Sequence, residues 1–161
     1  MSFLTHSERK LFDLLSSKHE DGFIQRFDSG EFVNHLKCNS YGESYLAVAI
    51  KHRCYDAAEF LMDFHPDLIH FRGENDTPIA HYFSRHLDPE YFIRFVSKGM
   101  DPDAIDHQKS NLLHKLASFG NKEDYLKGLS IGLDNNKQNN KNETPNDTAI
   151  RYRKFNEPNL S

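Results

Sequence analysis

The chain has no tryptophan, only two cysteines and only 8 glycines in 161 residues. Each scarcity excludes something. Cys38 and Cys54 are 16 apart and form no metal-type pair, so they read as reduced thiols of a cytosolic protein rather than as a disulfide. With so few glycines, there is no phosphate-cradling loop, and neither a nucleophile elbow nor a paired-carboxylate signature occurs. Basic residues number 20 against 24 acidic ones, and the two signs are mixed along the chain. No basic block is present, which argues against nucleic-acid binding. No apolar run reaches the roughly 18 residues of a membrane helix, so no membrane insertion is expected. The first residues show no charged flank followed by an apolar run, and no signal peptide is expected. Together these features predict a cytoplasmic location. Strand-type alternation of useful length is also missing, which predicts an all-α fold.

What the chain does contain is large aromatics, 13 Phe and 7 Tyr, and a phrase that returns. It reads Ser44-Tyr45-Leu46-Ala47, then Thr77-Pro78-Ile79-Ala80, then Asn111-Leu112-Leu113-His114, then Thr144-Pro145-Asn146-Asp147. The steps are 33, 34 and 33 residues. Such a period predicts stacked helical repeats, because one helix pair cannot bury its apolar face alone.

Helix signals fall in register with the phrase. Thr5-x-x-Glu8 is a capping box opening a helix over 5–18, and a second short helix fits Glu20 to Phe27 before a stop at Asp28-Ser29-Gly30. Ser44 caps the next helix, and another begins near Tyr55 and ends at His65-Pro66-Asp67. Thr77-Pro78 and Asp88-Pro89 each pair an N-cap with proline at the first helical position. Lys98-Gly99 closes the helix that follows Asp88. Two more helices fit from Asn111 and from near Asn121 to Gly132, and a last one fits 145–154. Phe12, Leu46, Ile79, Leu113 and Ile150 would form a ladder of core positions.

These residues resemble the ankyrin repeat, whose phrase is Thr-Pro-Leu-His followed by a helix pair, Gly-x-Asp and a hairpin. The matches include Leu113-His114, Ala117, Gly120, Gly132 and Asp134, then Gly99 and Asp101, and Gly42 and Asp67. The resemblance implies one domain, an ankyrin-repeat solenoid over 1–161. It has a degenerate capping repeat at 5–38, repeats at 39–72, 73–105 and 106–138, a truncated repeat at 139–155 and a tail at 156–161. Departures concentrate in the middle repeat. Tyr82-Phe83 replaces the family's Ala-Ala pair, one residue is inserted near His86-Leu87-Asp88, and the phrase's His survives only as His114.

Ten histidines raise the question of a metal. His81 and His86 lie about 140° apart around a helix, and His65 and His70 share that spacing in a loop. No Cys or carboxylate stands at tidy ligand spacing, so dispersed surface or capping histidines are expected, with no metal and no cofactor. His114 is expected to hydrogen-bond within the turn network, as the family's His does. Cys54 follows His52-Arg53, but adjacent helix residues point apart, so no catalytic pair is read there.

The resemblance implies a non-enzymatic protein-binding module that uses its concave face. Carried onto this chain, the contact positions are Tyr41, Glu43, Lys51 and His52, then Glu74, Asp76 and Arg85. Further along they are His107, Gln108, Phe119, Lys141, Arg151 and Tyr152. Tyr41, Phe119 and Tyr152 are aromatics that core packing does not need, and with Arg85 and Arg151 they carry the usual chemistry of binding hot spots. The expected partner is another protein, bound by a monomer acting as inhibitor, scaffold or translocated bacterial effector. The competing reading is an enzyme with a His, Cys or acid site on an irregular surface. A third is a modification substrate, since Asn136 falls in a hairpin where ankyrin asparagines can be hydroxylated.

Overall fold

The computed structural model describes residues 3–29 and 33–152. Gly30, the end of the expected 145–154 helix and the 156–161 tail lie outside the described residues. Eight α-helices and two 3-10 turns follow one another, and the described residues contain no strand beyond an isolated bridge between Cys38 and Ser44. Among the described residues, no helix is long and apolar enough to cross a membrane. The contacts divide the chain into two compact units, with the boundary between Ile79 and Ala80.

The first unit holds two helix pairs: α1 (His6–Ser16) with α2 (Glu20–Phe27), and α3 (Tyr45–Lys51) with α4 (Tyr55–Phe64). Thr5 and Glu8 close their capping box in both directions, at 3.1 and 2.9 Å. Ser44 caps α3 through Ala47 N–H at 3.2 Å. Each pair turns through a left-handed residue, Lys18 (φ 61°) or Arg53 (φ 60°). The pairs pack with α1 on α3 and α2 on α4.

Between the two pairs lies an aromatic core. The Phe12 ring stacks on Tyr45 with centroids 4.1 Å apart, and Phe27 meets Tyr45 edge-on at 5.7 Å. The α4 helix has no capping side chain of its own, because Cys54 stands at its N-cap. Glu20 of α2 supplies one instead: its Oε1 accepts Asp56 and Ala57 N–H at 2.9 and 3.2 Å. One pair thereby completes the helix of the next, and the carboxylate also favours the positive end of that helix.

The second unit opens with a 3-10 turn, Ile79–Phe83, whose first residue lies at the unit boundary. Then follow α5 (Pro89–Ser97), α6 (Leu112–Phe119), α7 (Lys122–Ser130) and α8 (Pro145–Arg151). Asp88, Asn111, Asn121 and Thr144 cap these four helices, as their spacing predicts. Gly128 lets α7 approach its neighbours closely. A Cβ there would sit 2.9 Å from a Leu113 methyl and 3.1 Å from a Leu116 methyl.

Two expectations fail here. Thr77-Pro78 does not open an α-helix; the segment tightens into the short 3-10 turn. Phe83 ends this turn at the position where the neighbouring phrases place Ile50 and Ala117, both within α-helices. Phe83 is fully buried and closes edge-on against Phe92 at 5.3 Å. Ile150 does not join the core ladder either, being 47% exposed. The inward face of α8 is instead Pro145, Thr148 and Ala149, spaced i, i+3, i+4.

Candidate functional site

The turns that precede the helices are built to one local plan. Asn39, Asp106 and Asn139 each bend the chain with a side-chain oxygen that accepts two backbone N–H groups. Asn39 accepts from Tyr41 and Glu43, Asp106 from Gln108 and Ser110, and Asn139 from Lys141 and Glu143, all at 2.9–3.1 Å. The fourth residue of each turn is left-handed: Gly42, Lys109 and Asn142, with φ of 75, 60 and 59°. Asp76 (φ 56°) holds the corresponding place in the intervening turn, so the left-handed position recurs at steps of 34, 33 and 33.

Adjacent turns are stitched together by the same chemistry in each unit. In the first, Glu74 N–H donates to the Gly42 carbonyl at 3.0 Å, and Asn75 Nδ2 donates to the Tyr41 carbonyl at 3.3 Å. In the second, Asn140 N–H donates to the Gln108 carbonyl at 2.9 Å, and its Nδ2 donates to the His107 carbonyl at 3.2 Å.

Each regular turn also carries an acid, a cation and an aromatic. Glu43 binds Lys51 at 3.1 Å, and the Lys51 ammonium lies 5.4 Å from the Tyr41 ring. Asp106 binds Lys115 at 2.7 Å, and Lys115 lies 5.9 Å from the Phe119 ring. Glu143 takes Arg151 through two bonds, at 2.7 and 3.2 Å, and the guanidinium lies 4.3 Å from the Tyr152 ring. The acid fixes the cation, and the cation fixes one face of the ring. The aromatics nonetheless stay open to solvent: Tyr41 is 73%, Phe119 65% and Tyr152 48% exposed.

The first unit holds Tyr41, Glu43, Lys51, His52, Glu74 and Asp76. Tyr41, Glu74 and Asp76 are exposed on the turns, and Lys51 and His52 are half-buried at the end of α3. Glu43 is buried, and its carboxylate is engaged by Asn39 and Lys51. Its place is therefore to orient Lys51 and the turn. The second unit holds the other expected positions. Arg85 is exposed just past the 3-10 turn, and His107 is exposed at a turn tip.

The remaining five, Gln108, Phe119, Lys141, Arg151 and Tyr152, converge on one cavity of about 280 Å³. Ser110, His114, Lys115, Ser118, Asn139, Asn140 and Thr148 complete its lining. Lys115, Lys141 and Arg151 make the wall basic, and Phe119 and Tyr152 flank it with apolar surface. Asp106 lies under this wall. Burial pushes its carboxyl up, but the Lys115 ammonium and the Ser110 and Gln108 N–H groups outweigh that and hold it below the usual range.

His114 forms part of the cavity lining and is buried. Nε2 donates to the Glu143 carbonyl at 2.8 Å, and in the neutral ring Nδ1 then accepts Asn111 N–H at 3.1 Å, with Asn111 Oδ1 beside it at 2.8 Å. Burial lowers its pKa and keeps the ring neutral. The turn-network role expected of His114 is the one it fills. Sequence reading missed His81, whose Nε2 lies 2.9 Å from the Ala104 carbonyl, in the loop ahead of the next phrase. His81 stands one residue past the position that His114 holds in its phrase, so the phrase register does not single it out.

Neither cysteine has the character of a nucleophile. Cys54 is buried with its Sγ 3.4 Å from the Leu15 carbonyl, and burial pushes its pKa up to about 11. Cys38 is buried and likewise raised by burial. One cluster escaped the sequence reading altogether. His35, His65 and Asp67 bring their ligand-type atoms within 4.8 Å of one another. Their thirty-residue separation is invisible to any local spacing rule. No family model matches this chain, and no curated protein matches it.

Proposed function

We propose that this chain is an ankyrin-like repeat protein that binds another protein non-enzymatically, through the turn tips and inner-helix faces of its repeats. The observation that carries the reading is the acid–cation–aromatic set repeated at Tyr41, Phe119 and Tyr152. Core packing has no use for these rings. Their cations are already fixed by buried or half-buried acids, so binding them orders few additional side chains. The cavity between Phe119 and Tyr152 suits an extended segment that offers an apolar side chain beside an acidic one. Lys141 adds positive charge there beside the Lys115–Asp106 and Arg151–Glu143 pairs. The protein acts as a monomer in the cytoplasm and masks its partner's surface, as an inhibitor, scaffold or translocated effector would. The raised thiol pKa of Cys54 weighs against the enzymatic alternative.

The test compares wild type with Phe119→Ala and Tyr152→Ala in quantitative capture from cell extract. Ile93→Ala, an exposed position on α5, is the control. Proteins retained by wild type and by the control should be lost by both aromatic variants, with melting unchanged. Truncating a hot spot costs about 2 kcal/mol or more, roughly thirtyfold in affinity. Equal retention by all four proteins would reject the cavity as the binding surface.

A further inference from the structure

The described segment 33–38 ahead of α3 passes beside the end of α4. His35 lies on that passing segment. His65 stands at the junction where α4 ends and the 3-10 turn Pro66–Ile69 begins, serving as C-cap of one and N-cap of the other. Asp67 is the second residue of that turn. Pro66 fixes the backbone between them, so His65 and Asp67 are presented from a rigid corner.

The side chains converge closely. His35 Nε2 lies 2.8 Å from Asp67 Oδ2, and the His35 and His65 rings stack at 4.3 Å with planes 26° apart. Behind them the Phe27 ring meets His65 edge-on at 5.4 Å and forms an apolar wall. One ligand-type atom from each of the three residues lies within 4.8 Å of the other two.

We propose that His35, His65 and Asp67 form a binding site for a divalent transition-metal ion. Bonds of about 2.0–2.1 Å to nitrogen and oxygen place the ligands of a tetrahedral ion roughly 3.3 Å apart. The His35–Asp67 pair is already inside that distance, and the ion takes the place of the proton that bridges them. The widest pair closes by up to about 1.5 Å, and because a metal lies in the plane of an imidazole that binds it, the stacked His35 and His65 rings turn out of their 26° stack as the ion enters. Two imidazoles and one carboxylate suit zinc, cobalt, nickel or copper. Magnesium and calcium prefer all-oxygen shells and are disfavoured. Three protein ligands leave a fourth position for water. The ion would clamp the α2–α3 segment to the end of α4, and this role is independent of the protein-binding surface proposed above.

The test uses tag-free, full-length protein stripped with chelator. Cobalt(II) titration, read by its visible ligand-field absorption, should saturate at one equivalent and be reversed by zinc(II). His35→Ala and Asp67→Asn should each weaken cobalt binding by at least about tenfold. His6→Ala, on the exposed first turn of α1, should leave it unchanged. Zinc at about 100 times its dissociation constant should raise the melting midpoint by roughly 5–10 °C, and His35→Ala should cut that rise to about half or less. His65 packs against Phe27, so His65→Ala is judged only beside its metal-free melting curve, and the two loop variants decide. Absence of stoichiometric uptake, or uptake undiminished in both His35→Ala and Asp67→Asn, overturns the site.

Discussion

His114 joins the start of α6 to the turn that precedes α8, and His114→Ala breaks both connections at once. The change removes the acceptor of Asn111 N–H (3.1 Å) and the donor to the Glu143 carbonyl (2.8 Å). His114 and Asn111 are 2% and 4% exposed, so the orphaned groups are reached only by water entering through the adjoining cavity. Each orphaned buried group costs about 1–3 kcal/mol. Deleting the ring also leaves a void, and large-to-small changes in a core cost about 2–5 kcal/mol. These costs overlap, and together they give about 3–5 kcal/mol. In a chain of this length that lowers the melting midpoint by about 10 °C.

His114→Gln makes a graded companion, because Gln at the third helical position still reaches the N-cap N–H. It loses only the Glu143 bond and costs about 1–2 kcal/mol. His107→Ala, at an exposed turn tip, stays within about 0.5 kcal/mol of wild type. Thermal and urea unfolding followed by circular dichroism at pH 7.5 measure all three.

The pH dependence adds a second readout. Burial lowers the folded pKa of His114 below its unfolded value of about 6.5. The unfolded chain therefore binds the extra proton first. The stabilisation is complete above about pH 6.5 and is lost as pH falls through the folded pKa. His65, lowered by burial and by His35, contributes in the same direction, so wild type carries both slopes. His114→Gln should keep only part of the fall. An alanine variant within about 1 kcal/mol of wild type, or a glutamine variant with the wild-type pH slope, would refute the reasoning.

Two further outcomes follow from the backbone and the thiols. At Gly73 (φ 70°) a Cβ would lie 2.4 Å from the Gly42 carbonyl oxygen, which itself accepts Glu74 N–H, whereas Gly132 (φ 89°) faces open space. Gly73→Ala should cost at least about 2 kcal/mol and Gly132→Ala about 1 kcal/mol in urea unfolding, and equal costs would remove the stitched turn as the cause. Cys54, with its thiol pushed up to about 11, should resist iodoacetamide in the native protein at pH 8 and react readily in denaturant. Native labelling at the rate of a free thiol would contradict its burial.

The helix starts were legible in the sequence because a cap is a contact across three residues. Thr5 with Glu8, and Ser44, Asp88, Asn111, Asn121 and Thr144 with the amide three places on, act where their spacing puts them. The rhythm of 33 and 34 residues was legible for the same reason, since each turn carries its own left-handed position and three of them their own Asx residue. Only the tertiary structure decided the rest. Glu20 caps α4 from another helix, the segment after Thr77-Pro78 tightens into a 3-10 turn, and Tyr41, Phe119 and Tyr152 acquire their cations. His35 meets His65 and Asp67 from thirty residues away. These contacts depend on how whole segments pack, and volume and direction in three dimensions are not encoded in any local window of the chain.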